Sequence, residues 1–96
     1  MRILMVEDVK YIAEAVAQVL KRNNYSVDLA YDGEYGMDCA VSNIYDIIIL
    51  DIMLPKKDGL SVLKEVRKSG IETPVILLTA RGETEDKVRG LDTGAD

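Results

Sequence analysis

The chain has no histidine, one cysteine and two prolines, and it carries no dense cluster of basic residues. Without histidine, His-based nucleophilic catalysis and His-ligated zinc are excluded. Cys39 has no partner for an internal disulfide, which makes the cytosol the natural compartment. It sits on an expected helix face and reads as a small buried hydrophobe. No apolar run approaches the roughly 20 residues of a membrane-spanning helix. Met1 leads directly into an apolar stretch, with no basic segment of an export signal before it. The chain is therefore expected to be soluble, cytoplasmic and free of membrane contact. The net charge of −5 argues against direct nucleic-acid binding by this segment, since phosphate backbones call for clustered Lys and Arg. It suits divalent cations or basic partner surfaces. Neither G-x-x-x-x-G-K-[ST] nor G-x-G-x-x-G occurs, so a P-loop nucleotidase is out.

What is present is an alternation of strand and helix signals over 96 residues, enough for one small domain. A domain of this size buries only about 60–70% of the surface its unfolded chain exposes. Residues 2–6 read as a strand. A helix over 9–22 places Val9, Ile12, Ala13, Val16 and Leu20 on one stripe. A less apolar strand over 26–31 suits a sheet edge. Asp32-Gly33 marks a turn, and a helix over about 34–43 is expected to bury Met37, Ala40, Val41 and Ile44. Residues 46–50 form an almost wholly apolar strand, expected to be covered on both faces. Gly59 fits a left-handed or tight helix entry, and the helix over 59–68 buries Leu60, Leu63 and Val66 before Gly70 stops it. Residues 74–78 make a fourth strand. A last helix over 83–93 has only Val88 and Leu91 as large apolar residues and is interrupted by Gly90, so it is expected to be loosely anchored. Tyr11 and Tyr45 read as half-buried packing residues.

Strands separated by single helices imply right-handed crossovers and a parallel α/β sheet. Ligands of such sheets bind beyond the carboxyl ends of the strands, where strand order reverses. Those ends carry Glu7-Asp8 after Ile3-Leu4-Met5-Val6, Asp51 after Ile47-Ile48-Ile49-Leu50, and Thr79-Ala80 after Val75-Ile76-Leu77-Leu78. Taken singly, each has an ordinary explanation: Asp8 as a solvated loop acid or cap, Thr79 as a turn residue, Asp58-Gly59 as a turn signal. Jointly they point to chemistry. Three converging carboxylates repel one another, and a hard, oxygen-seeking cation such as Mg²⁺ relieves them. With that charge offset, an anionic phosphoryl group could approach Asp51 as nucleophile. The Thr79 hydroxyl and the Ala80 amide would offer donors to its oxygens.

The elements Ile3 to Asp8, Asp51-Ile52-Met53-Leu54-Pro55-Lys56-Lys57-Asp58-Gly59, Pro74 to Arg81, and Gly90 to Asp96 together resemble the receiver domain of bacterial two-component response regulators. The resemblance runs from Met1 to Asp96. It implies a flavodoxin-like (CheY-like) doubly wound parallel sheet of strand order 2-1-3-4-(5). It further implies that Asp51 accepts phosphate from a sensor histidine kinase, and that Glu7, Asp8, Asp51 and the Met53 carbonyl hold Mg²⁺. Thr79 would report phosphorylation. The protein would then be a phosphoacceptor that assists its own phosphorylation and dephosphorylation rather than a turnover enzyme. The loop wording is most similar to OmpR-type regulators, whose output is a DNA-binding domain.

One departure stands out. Such domains ordinarily have a fifth strand with a switch aromatic, an active-site lysine and a last helix, and none of these has a counterpart here. The expectation is a C-terminally incomplete receiver that labels poorly with acetyl phosphate. It is also expected to associate through an unpaired strand edge, as a homodimer or a segment-exchanged oligomer. Two other readings stay open: a haloacid dehalogenase-like phosphatase, which would want an acid where Met53 stands, and an unphosphorylated interaction module. A first strand leading into Glu7-Asp8-Val9 weighs against an FMN-binding flavodoxin.

Overall fold

The computed structural model describes residues 1–78. The helix expected over 83–93, and with it Thr79 and Ala80, lie outside the described residues. The apolar runs become strands because each can be buried between helices. The elements in chain order are β1 (Arg2–Val6), α1 (Lys10–Arg22), β2 (Ser26–Ala30), α2 (Gly33–Ala40), β3 (Ile47–Asp51), α3 (Gly59–Lys68) and β4 (Val75–Leu78). All pairings are parallel and the order is β2-β1-β3-β4. The less apolar β2 takes an edge, as its sequence demands. The chain winds one way from β1 to β2 and the other way from β3 to β4, so strand order reverses between β1 and β3.

Alternation along the strands gives each face its own helices. Leu4 and Val6, Ile48 and Leu50, and Val75 join Ala40 of α2 and Val62, Leu63 and Val66 of α3 in one core. Ile3 and Met5 are buried on the opposite face, on the side of α1. There the expected stripe shifts. Ala13 and Ala17 are the buried residues of α1, while Ile12 remains 37% exposed and Val16 and Leu20 are half-buried. Small side chains let the helix axis come close to the sheet, so the bulkier ones flank the contact instead of filling it. Because α1 lies over β1 and β2, Ile47 and Ile49 on β3 are only half-buried. The expectation of a strand covered on both faces is corrected to that extent.

Local hydrogen bonds account for the other differences. The second helix stops at Ala40 rather than running to 43, because the Ser42 hydroxyl and the Asn43 amide bond back to Cys39 O and Ala40 O and turn the chain. Asn43 takes a φ of 59°, and Val41 and Ile44 end exposed rather than buried. Cys39 is half-buried against the core. Tyr11 is exposed, whereas Tyr45 is buried and its hydroxyl donates to Asp28 Oδ2 at 2.7 Å. The Arg2 guanidinium donates to the same oxygen and lies over the Tyr45 ring, 5.6 Å from its centroid. This cluster ties the β1, β2 and β3 segments together at the end of the sheet remote from the strand-end acids.

The two Asp-Gly pairs that read as turns prove to be helix starts. Asp32 caps α2 by accepting the Tyr35 amide at 2.8 Å. Asp58 caps α3, accepting the Ser61 amide at 3.0 Å and its hydroxyl at 2.8 Å. Gly70, at a φ of +83°, closes α3 as expected. Its amide bonds Arg67 O and that of Ile71 bonds Val66 O, the paired bonds of a Schellman stop. The Ser61 amide and hydroxyl also hold the Asp58 carboxyl below its ordinary range. A lowered value in the folded state means the cap contributes above the ordinary Asp range and is lost as pH falls through the folded value. Asp58→Ala should therefore cost about 1 kcal/mol in urea unfolding at neutral pH. The gap from the unchanged protein should close in strong acid.

Candidate metal centre

In the β1–β3 pairing Val6 stands opposite Leu50. One residue further on, the two strands end in Glu7 and Asp51, on the two sides of the point where strand order reverses. Asp51 is the last residue of β3 itself, and both acids are nearly out of solvent, at 7% and 6% exposure. Asp8 is exposed beside them. One carboxylate oxygen from each of Glu7, Asp8 and Asp51 lies within 4.8 Å of the others. The three acids that the sequence placed at strand ends are brought together.

Backbone amides fix their directions. The Glu7 amide donates to Ala30 O at 2.9 Å, extending the β1–β2 ladder by one residue. Its Oε2 accepts the Val9 amide at 3.0 Å, which holds the carboxylate toward the start of α1. Asp51 Oδ1 accepts the Met53 amide at 3.1 Å, an Asx-type turn that starts the loop leaving β3. The Ile52 amide reaches Leu78 O at 3.0 Å, and Ile52 O accepts the Gly59 amide at 2.8 Å. Gly59 is required by proximity: a Cβ there would lie 2.1 Å from the Asp51 carbonyl oxygen. Of the two alternatives for this glycine, the tight entry is the one found, and its φ is not positive.

Among the described residues the cluster is left without a cationic partner: no lysine or arginine forms an ion pair with Glu7, Asp8 or Asp51. The Glu7 carboxyl is pushed above its ordinary range, first by burial and then by the Asp51 charge and by hydrogen bonds to Asp8 and Asp51; the Val9 amide pulls the other way. An all-oxygen, all-anionic donor set with one solvent-facing member fits a hard divalent cation that keeps several of its waters, the habit of Mg²⁺. Met53 enters through its amide on Asp51.

Sequence reasoning missed how the loop after Asp51 is fastened. The Gly33 amide donates to Pro55 O at 3.2 Å, and the Lys56 amine stands 3.8 Å from Asp32 Oδ2. The available signal was Asp32-Gly33 itself, which reads only as a turn. No helix among the described residues is long and apolar enough to cross a membrane.

Comparison with known proteins shows the family and agrees with the fold. The family model described as the response regulator receiver domain matches residues 3–96. The transcriptional regulatory protein DltR of Streptococcus agalactiae is 58% identical over 96 residues, covering all of this chain and 43% of its own length. The response regulator ArlR of Staphylococcus haemolyticus is 50% identical over 94 residues, 98% of this chain and 42% of that protein. The chain thus spans less than half the length of these curated relatives. Among solved structures, the receiver domain of Francisella response regulator 1452 superposes with a TM-score of 0.93 at 39% identity, covering 99% of this chain and 78% of that one. The Vibrio cholerae chemotaxis protein CheY4 does so at 0.87 and 31% identity, over 98% and 80%. An open parallel sheet of order 2-1-3-4, the acid cluster at its reversal point and these matches together make the chain a member of the response regulator receiver domain family.

Proposed function

We propose that this receiver accepts a phosphoryl group on Asp51 from a sensor histidine kinase, with a Mg²⁺ ion held by Glu7, Asp8, Asp51 and the Met53 carbonyl. The observation that carries the proposal is the convergence of the three carboxylates within 4.8 Å, two of them buried and none paired with a cationic side chain among the described residues. When bound, the cation supplies positive charge that offsets the acids and the transferring oxygens. The Met53 amide donates to Asp51 Oδ1, which leaves Oδ2 as the oxygen assigned to the incoming group. In the transfer an Asp51 O–P bond forms, the N–P bond of the phosphohistidine breaks, and the imidazole nitrogen keeps the electron pair. Glu7 and Asp51 are buried, and exposed Asp8 is assigned to the open side where the partner approaches. The Thr79 hydroxyl and the Ala80 amide are assigned to the phosphoryl oxygens.

In this reading the protein assists its own phosphorylation and dephosphorylation and turns over no separate substrate. It works in the cytoplasm and biases a two-state equilibrium, with homodimerisation as the readout. The output is a DNA-binding transcriptional domain, supported by the name and length of the DltR relative. An association through the β4 edge or by segment exchange belongs to the same proposal. Ile76 and Leu78, which are 45% and 40% exposed on one face of β4, would add apolar contact to it.

Two measurements test the site. After incubation with acetyl phosphate and Mg²⁺, intact-mass spectrometry should show the addition of one PO₃ group, however slowly it accumulates. That adduct should vanish in Asp51→Asn and when a chelator replaces the metal; an adduct surviving either change would overturn the assignment. The second measurement is pH-dependent melting. A raised Glu7 value in the folded state means that protonation favours the fold, so cation-free stability should fall as pH rises from the ordinary Glu range, about 4.3, toward neutrality. Glu7→Gln should flatten that fall and shrink the gain in melting temperature on adding Mg²⁺. An unchanged slope would show that Glu7 carries no such penalty.

A further inference from the structure

The loop that carries Met53 contains a residue in an unfavourable conformation. Lys56 has a φ of 68°, and the Lys57 amide bonds Pro55 O at 2.7 Å. An i→i+2 bond across a residue of positive φ is a γ-turn of the rare, strained kind. Such a turn persists only where its surroundings over-determine it. Here Pro55 O accepts a second hydrogen bond, from the Gly33 amide at 3.2 Å. Gly33 is the first residue of α2, a helix otherwise remote in sequence from the site. The contact is close: a Cβ on Gly33 would lie 1.8 Å from the Lys57 carbonyl oxygen and 2.8 Å from Lys57 Cβ. The turn is also held from its other side, by the Lys57 amine on Glu65 of α3. Asp32, the residue before Gly33, has its carboxylate shared between the Tyr35 amide and the Lys56 amine.

From this we infer that Gly33 is a positioning residue for the phosphoacceptor site, locking the strained 55–57 turn and through it the 52–58 loop that begins at Asp51. The inference rests on the proposed Mg²⁺ site. The physical link is short. Residues 52–54 are all that separate Asp51 from Pro55, and their start is set by the Met53 amide on Asp51 Oδ1. Any side chain at position 33 must push the Lys57 carbonyl or α2 away by roughly 1 Å. A displacement of that size in a positioning shell costs up to about 100-fold in rate, and loss of an outer-shell partner costs about 10–100-fold in metal affinity.

Gly36 supplies the control. It lies on the same helix, and a Cβ there meets Val6 Cγ1 at 2.7 Å, inside the core and not on the loop. Mg²⁺ affinity is measured by titration calorimetry on the unchanged protein, Gly33→Ala and Gly36→Ala, each checked by circular dichroism and melting. Gly33→Ala should bind Mg²⁺ about 10-fold more weakly or worse while keeping its helical signal. Gly36→Ala, which presses on Val6, should melt earlier and lose less Mg²⁺ affinity than Gly33→Ala. Affinity within twofold of the unchanged protein in Gly33→Ala, or an equal loss in Gly36→Ala, overturns the positioning role. Should Gly33→Ala fail to fold, the unchanged protein still answers by NMR. The Gly33 amide resonance should move with Mg²⁺ at the same midpoint as that of Met53, with Gly70 still, and a stationary Gly33 resonance at saturation refutes the inference. No binding by the unchanged protein would refute the metal reading itself, a result distinct from either failure of Gly33.

Discussion

The structure depends on one constraint: β1 and β3 lie side by side in parallel register, so Glu7 and Asp51 are held close together and nearly dry. Like charges in that position oppose folding, and the rest of the molecule overcomes them. Leu4, Val6, Ile48 and Leu50 precede the acids on the same two strands and are packed almost entirely out of solvent. The apolar core sets the register, and the register brings the carboxylates together. A local conflict of this kind, maintained by a consistent fold around it, is where function is to be expected.

The two ends of the sheet use acids in opposite ways. At the strand starts Asp28 is held by the Tyr45 hydroxyl and the Arg2 guanidinium, and its carboxyl is driven below the ordinary range, first by Tyr45 and then by Arg2. At the strand finishes Glu7 has, among the described residues, the Val9 amide to set against burial and two neighbouring acids, and its carboxyl moves up. One end is electrostatically closed and serves as a clamp. The other is open and calls for a cation. Among the described residues the difference lies in the Tyr45 hydroxyl and the Arg2 guanidinium that one end has and the other lacks.

Much of this was legible in the sequence because the apolar runs are short, rich in Ile and Val, and separated by segments of helical length. Gly70 was equally plain as a helix stop, whereas Asp58 read only as part of a turn and its capping of α3 emerged from the structure. The alternation of strand and helix signals gave the parallel sheet, and the resemblance gave its order. Other features were not legible. Nothing in the periodicity of residues 9–22 distinguishes Ile12, which is exposed, from Ala17, which is buried, because the choice depends on how close α1 sits to the sheet. Tyr45 and Tyr11 look alike as lone aromatics, yet one finds Asp28 and the other faces solvent. The end of α2 turned on the Ser42 hydroxyl and the Asn43 backbone amide bonding back to main-chain carbonyls, a contest of about the energy of one hydrogen bond.

By itself the sequence determined which residues could do chemistry: acids at the ends of apolar runs, without histidine or basic clusters to suggest another use. That follows from local physics, since hydrophobic pattern and capping act over a few residues. Only the tertiary structure decided that Glu7, Asp8 and Asp51 share one space, and that a glycine on α2 holds the loop leaving Asp51. Those facts rest on contacts between segments more than twenty residues apart. Such contacts are fixed by the packing of the whole core and by no property of the segments taken alone.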